Sequence, residues 1–321
     1  MASGFTTGKN SISKRHCYLL LAATAMTYLI ITMGGIVCAT ESGRGCPDWP
    51  GCYGRIVPMM RVDSVIEYMH RLVAALTSPF IIAAAIVGWR RSPAIRWVSR
   101  PPAIAVGFLF AVAGLGARAV VRGLSPLWAA VDLGLALLVL ALMVSASVVA
   151  FTRYANPALP DRLWFRGSFA RLSFWTSGAI FAVLVSGVVV DGDSIARCLG
   201  WPLYVVRWVP VDLHGWLQLS RRVLAGAASI LLITVVWQAW RTPRAQTAIV
   251  RGATMLGVFF FAEISVGALM LTRGSNLLML GIYVALAAAL WASSVVLVVL
   301  SGLPSSDSAE ARFRPVQATA A

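Results

Sequence analysis

The chain repeats itself at a fixed interval, and a duplicated half constrains the architecture before any local feature does. Cys46-Pro47-Asp48-Trp49-Pro50 runs on to Pro58, and Cys198-Leu199-Gly200-Trp201-Pro202 runs on to Pro210; the cysteines and the later prolines are both 152 residues apart. The register persists beyond these loops. His70-Arg71-Leu72-Val73-Ala74 aligns with Arg221-Arg222-Val223-Leu224-Ala225, and Arg122-Gly123 with Arg273-Gly274, each at an offset of 151. Whatever the first half builds, the second builds again.

Both halves are written for a bilayer. Of 321 residues, 59% are hydrophobic and 12% charged, and the mean hydropathy is +0.80, too apolar for an ordinary soluble domain. A spanning helix needs about 20 mostly apolar residues. Eight stretches qualify, near 17–39, 67–89, 102–121, 127–151, 172–191, 214–239, 252–272 and 277–300, four in each half. The expected fold class is therefore all-α, an integral membrane protein of eight transmembrane helices in two pseudosymmetric four-helix bundles. The expected division is an N-terminal bundle over 1–152, a cytoplasmic linker over 153–171, a C-terminal bundle over 172–302 and a disordered Ser/Ala/Pro-rich tail over 303–321. The first span exceeds a signal-peptide core in length and is read as a permanent helix.

Arginines set the expected orientation. Lys9, Lys14 and Arg15 precede the first span; Arg90, Arg91, Arg96 and Arg100 follow the second; Arg153, Arg162, Arg166 and Arg171 follow the fourth; Arg241, Arg244 and Arg251 follow the sixth; Arg312 and Arg314 end the chain. The positive-inside rule makes these segments cytoplasmic, with both termini inside and both Trp-Pro loops outside, in a cytoplasmic (inner) membrane. The formal net charge of +15 is this topological signal, and no basic stripe on a soluble domain points to nucleic acid. A transporter reading is disfavoured, because the halves run in the same sense and lack a Gly/Pro-interrupted helix pair near the midplane.

Five cysteines are too few for a disulfide scaffold, but Cys46 and Cys52 share a short external loop on the oxidising side, where they either bridge or remain buried thiols. The second loop has Tyr204 where a partner for Cys198 would stand. Ionisable groups inside spans are functional candidates by default. Glu67 and His70 lie three residues apart at the outer end of the second span, on one helical face, with Arg71 beside them. Histidine is a common heme axial ligand and arginine can reach a propionate, although a satisfied helix-end histidine is the plainer explanation of such a run.

The stretch from Gly34-Gly35-Ile36-Val37-Cys38 through Cys46-Pro47-Asp48-Trp49-Pro50-Gly51-Cys52-Tyr53-Gly54, followed by Glu67-Tyr68-Met69-His70-Arg71, resembles the N-terminal signature of the heme A synthase family, CtaA type. The resemblance extends through all eight helices. It implies a membrane oxidoreductase that converts the C8 methyl of heme O to the formyl of heme A for cytochrome oxidase. It also implies two histidines per bundle, from the second and fourth helices, around a heme near the outer surface. The N-terminal bundle would hold the heme O substrate beside an essential glutamate, and the C-terminal bundle a heme b cofactor. Heme O synthase and cytochrome oxidase subunits are the implied partners, besides membrane lipid. The alternative is a non-catalytic heme-binding or oxidase-assembly protein on the same scaffold.

Carried over residue by residue, His70 matches the helix 2 ligand, Glu67 the catalytic carboxylate, and Arg71 the propionate anchor. Asp132, Arg221 and Tyr283 occupy the positions of the other three histidines, the last two at offset 151 from His70 and Asp132. Cys38 stands where the family pattern has arginine. Arg221 cannot ligate iron, because its guanidinium stays protonated and offers donors only. Tyr283 either binds ferric iron as a phenolate or hydrogen-bonds Arg221 across the cavity. Asp132 either accepts from a water opposite His70 or pairs with Arg71 or Arg118. His214 lies seven residues, about 10 Å of helix, before Arg221 and is too distant to replace it. His16 is read as an interfacial residue. Trp89, Trp97, Trp208, Trp216 and Trp240 are read as belt residues, and Met270 and Met279 as packing around the last turn.

Overall fold

The computed structural model describes residues 12–49, 51–190, 212–241 and 247–303, and all its long elements are helices. They are α1 (Lys14–Ala39), α2 (Val62–Arg91), α3 (Arg96–Arg122), α4 (Pro126–Ala155), α5 (Ser168–Val190), α6 (Leu213–Arg241), α7 (Thr247–Arg273) and α8 (Leu277–Gly302). Each is long and apolar enough to cross a bilayer, one for each expected span. The second Trp-Pro loop, with Cys198, Tyr204 and Trp208, and the tail from Pro304 lie outside the described residues.

Local chemistry repeats with the halves. Gly123 and Gly274 follow the C-termini of α3 and α7 with φ of 71° and 78°, a left-handed backbone that favours glycine and ends both helices at the same register. Ser125 and Asn276, again 151 apart, are the N-caps of α4 and α8; the Asn276 side chain accepts from the Met279 N–H at 2.9 Å.

In the first bundle α1 packs on α2, α2 on α3, α3 on α4 and α4 on α1; in the second, α5, α6, α7 and α8 close the same ring. Helices α2 and α4, and likewise α6 and α8, therefore stand on diagonals. The bundles meet through α4 against α8, α1 against α8 and α4 against α5, the contact set a two-fold axis between α4 and α8 would generate. Accordingly α4 and α8 are the most buried spans and α3 the least. One hydrophobic core runs through both halves, joining Leu20, Ile81, Leu140, Met143, Leu232, Val235, Leu256 and Leu297.

In lipid the drive to pack helices comes from close contact and polar cross-links. Thr24 and Ser147 hydroxyls meet at 2.8 Å between α1 and α4, and Ser177 and Ser294 at 3.0 Å between α5 and α8. Across the bundles Tyr28 Oη donates to the Ala285 carbonyl at 2.9 Å and Trp291 Nε1 to the Leu137 carbonyl at 2.9 Å. Gly35 makes the closest approach: a Cβ there would lie 2.2 Å from Val284 Cγ1 on α8. Gly35→Ala is expected to push α1 off α8 at a cost of about 1–3 kcal/mol, measured as a lower thermal midpoint of the purified protein in detergent.

At the opposite end of the molecule His16 departs from its interfacial reading. It is 2% exposed, inside the packing of α1 on α2, with Nδ1 3.5 Å from Ser92 Oγ. Asp161, between α4 and α5, accepts from the Arg96 and Trp97 N–H groups and caps α3. Trp164 N–H donates to Gly302 O at 2.7 Å, tying that connection to the end of α8.

Candidate functional site

The N-terminal outer loop is a built cap on α2. Cys46 and Cys52 form a disulfide. Between Cys52 and Arg55 the backbone exchanges two hydrogen bonds, 3.0 and 3.2 Å, around Tyr53 and Gly54, whose φ of 56° and 65° are those of a type I′ hairpin turn. The Asp48 carboxylate closes this turn by accepting from Tyr53 N–H at 2.5 Å and Gly54 N–H at 2.6 Å. Ser64, at the start of α2, donates to the Gly45 carbonyl at 2.8 Å, and a Cβ on Gly45 would run into the Asp63 backbone at 2.4 Å. The loop is thereby pressed onto the helix that carries Glu67 and His70.

The Gly54 N–H above all, with the Tyr53 N–H and the Arg71 charge, holds the Asp48 carboxyl below the usual carboxylate range. A lowered pKa contributes loop stability that is present above the unfolded value of about 3.9 and is lost as pH falls through the lower folded value. Amide exchange at Tyr53 and Gly54 is expected to stay protected from neutral pH to about pH 4 and to lose protection only in stronger acid. Asp48→Asn should weaken that protection already at neutral pH.

Arg71 is the centre of the cap. Its Nε donates to Glu67 Oε1 at 2.8 Å, Nη1 to the carbonyls of Asp48 and Gly51 at 2.5 and 2.8 Å, and Nη2 to that of Cys46 at 3.0 Å. Four of its five N–H donors are thus used inside the chain. The ion pair with Glu67 is buried, the side chains being 12% and 7% exposed. Glu67 Oε2 carries no hydrogen bond among the described residues.

His70 sits one turn along α2 from Glu67, against the inner side of α1. A Cβ on Gly34 would lie 3.3 Å from His70 Cε1, so the glycine leaves the ring its place. His70 Nδ1 is buried without a hydrogen-bond partner. On the diagonal helix Asp132 Oδ1 is likewise buried and unpartnered. Gly134, two residues on, faces Phe181 and Val185 of α5, so the roughly 200° rotation between the two positions puts Asp132 on the side of α4 that closes its own bundle. Neither alternative ion pair of Asp132 is formed: Arg71 is taken by Glu67 and the loop, and Arg118 lies 5.7 Å from the Trp128 ring centroid. Two polar side chains with unpartnered buried atoms thus stand on the diagonal helices of the capped bundle, and of the two the imidazole offers the donor type a heme iron takes.

The corresponding place in the second bundle is different. Arg221 on α6 is 4% exposed and Tyr283 on α8 2% exposed. Glu263 on α7 lies beside the Tyr283 phenol, and the Arg221 charge acts on the same phenol. Glu263 escaped the sequence reading although an acidic residue inside a span was signal enough; it lies on a helix where the family pattern places no ligand. His214 is exposed and meets Gln218 at 3.0 Å, away from this cluster. Met270 packs with Val266 against Leu280, Tyr283 and Val284, as expected of a core methionine.

Cys38, three residues from Gly35 and hence on the face of α1 toward α8, is also disulfide-bonded. Cys17 is a buried free thiol. Peptide mapping without reduction should recover Cys46 joined to Cys52 and find Cys38 resistant to alkylation, while Cys17 reacts only after unfolding.

The COX15-CtaA family profile, described as cytochrome oxidase assembly protein, matches residues 17–65 and 60–295. Heme A synthases of Staphylococcus aureus strains MSSA476, JH9 and Newman are each 27% identical over 265 residues, covering 81% of this chain and 87% of theirs.

Proposed function

Because this chain belongs to the COX15-CtaA family of cytochrome oxidase assembly proteins, we propose that it acts in heme A biosynthesis, oxidising the C8 methyl of heme O to a formyl group on the outer side of the membrane. The observation that carries this reading is the buried, unpartnered His70 Nδ1 one turn from the buried Glu67, beneath the Cys46–Cys52 cap. With dioxygen as oxidant the change balances as R–CH3 + O2 → R–CHO + H2O. Heme O is here the substrate, and its iron supplies the redox chemistry when bound.

The chain's own groups have separable tasks. His70 holds the substrate by its imidazole. Glu67, fixed through Oε1 by Arg71, keeps Oε2 for a proton or for charge developing at the methyl carbon. The Arg71-centred cap excludes water and sets the rotamer of Glu67. With four donors engaged, Arg71 has one N–H left for a propionate, so positioning Glu67 is its principal role. Asp132 faces the substrate from the diagonal helix. Basic residues at the loop ends opposite the cap put both termini in the cytoplasm.

Membranes expressing the protein with a heme O source should contain heme A in extracted pigments. Glu67→Gln, which keeps the side chain's size, should retain bound heme while formyl product falls about a hundredfold or more. If the variant forms heme A like the native chain, Glu67 is not the catalytic group. If the native chain binds heme but never converts it, the non-catalytic assembly reading replaces this one; the absence of a second histidine pair is the observation in its favour.

A further inference from the structure

We infer that the C-terminal bundle is closed to porphyrin by a network of its own side chains, so that the chain holds heme in its N-terminal bundle alone. The inference builds on the site proposed above but concerns the other half. A heme between α6 and α8 would have to occupy the diagonal of that bundle, where Arg221 is 4% and Tyr283 2% exposed. Tyr283 and Arg221 start from the two diagonal helices, and Glu263 starts from the helix between them.

Three features make the network a plug. First, the phenol is enclosed: the side chain is 2% exposed among Leu280, Val284, Val266 and Met270, with Glu263 beside it. Second, Arg221 brings a fixed cation where the first bundle has an imidazole, and a guanidinium offers the iron no lone pair. Third, the acid that α7 brings, Glu263, is placed against the Tyr283 phenol, so a third polar side chain of the bundle is directed at the same diagonal. On the first bundle's diagonal the corresponding positions carry an imidazole and a carboxylate, His70 and Asp132. The two halves keep one backbone plan and have diverged into a receptive site and a locking site.

The test is the heme content of full-length protein purified in detergent, from cells supplied with heme O and heme B. Native protein should carry no more than one heme per chain, and His70→Ala essentially none. A double variant, Arg221→His with Tyr283→His, should gain one heme per chain with the low-spin spectrum of paired imidazoles. Two hemes in the native chain, or one heme kept by His70→Ala, would overturn the inference. So would a folded double variant that gains none, since the exclusion would then not lie with these two side chains. Should that variant misfold, the His70→Ala measurement decides alone. A native chain without any heme contradicts the reading of the N-terminal site while agreeing with a closed C-terminal bundle, so the two failures are distinguishable.

Discussion

His70→Ala should strip the protein of heme, with occupancy falling at least tenfold while the fold survives. The substitution removes a ring whose Nδ1 is already without a partner, so the apoprotein loses no internal hydrogen bond. It even sheds a buried polar atom that costs about 1–3 kcal/mol to leave unsatisfied. Thermal stability of the apoprotein should therefore be unchanged or slightly raised. That combination, loss of pigment without loss of fold, distinguishes a ligand from a structural histidine. Restoring the pigment by adding free imidazole to the variant would strengthen the assignment. A parallel substitution, Gly34→Val, should reduce occupancy more mildly by crowding the ring that now lies 3.3 Å from the missing Cβ.

Arg71→Met should have the larger effect on stability. The guanidinium serves one buried carboxylate and three loop carbonyls at once. Removing it leaves Glu67 charged or forces it to take up a proton, and breaking one partner from a buried pair costs about 3–5 kcal/mol. The carbonyls of Cys46, Asp48 and Gly51 lose their donors together, so the cap should loosen although its disulfide remains. The thermal midpoint should drop on the order of 10 °C, and the Cys46–Cys52 bridge should become accessible to a water-soluble phosphine that leaves the native bridge intact. Arg71→Lys should recover only part of this, because a single ammonium cannot span the carboxylate and three carbonyls. If the variant keeps the native midpoint and a protected bridge, the cap is not built on Arg71.

Much of the architecture was legible because lipid demands it. Long apolar runs must be helices when no water is present to satisfy the backbone, and an offset of 151 carried the helix pattern of the first half onto the second, down to the paired glycines after α3 and α7. That Glu67 and His70 share one face of α2 was legible from their spacing. Arg71 was placed beside them correctly, yet its engagement with three carbonyls of a loop some twenty residues earlier has no sequence signature. His16 was misjudged for a related reason: basic neighbours suggest an interface, while burial depends on how the start of α1 meets the end of α2. Glu263 was overlooked because attention followed the expected ligand positions on α6 and α8. The rule that an acid inside a span needs an explanation would have found it.

The central claim is that a single porphyrin lies on the diagonal between α2 and α4 with its iron on His70. An electron-microscopy map of the heme-loaded full-length protein in lipid nanodiscs tests it most directly. The expected result is porphyrin density beneath the Cys46–Cys52 cap, with the His70 imidazole on the iron and no such density between α6 and α8. Porphyrin density elsewhere, or a His70 ring turned away from the iron, would contradict the account.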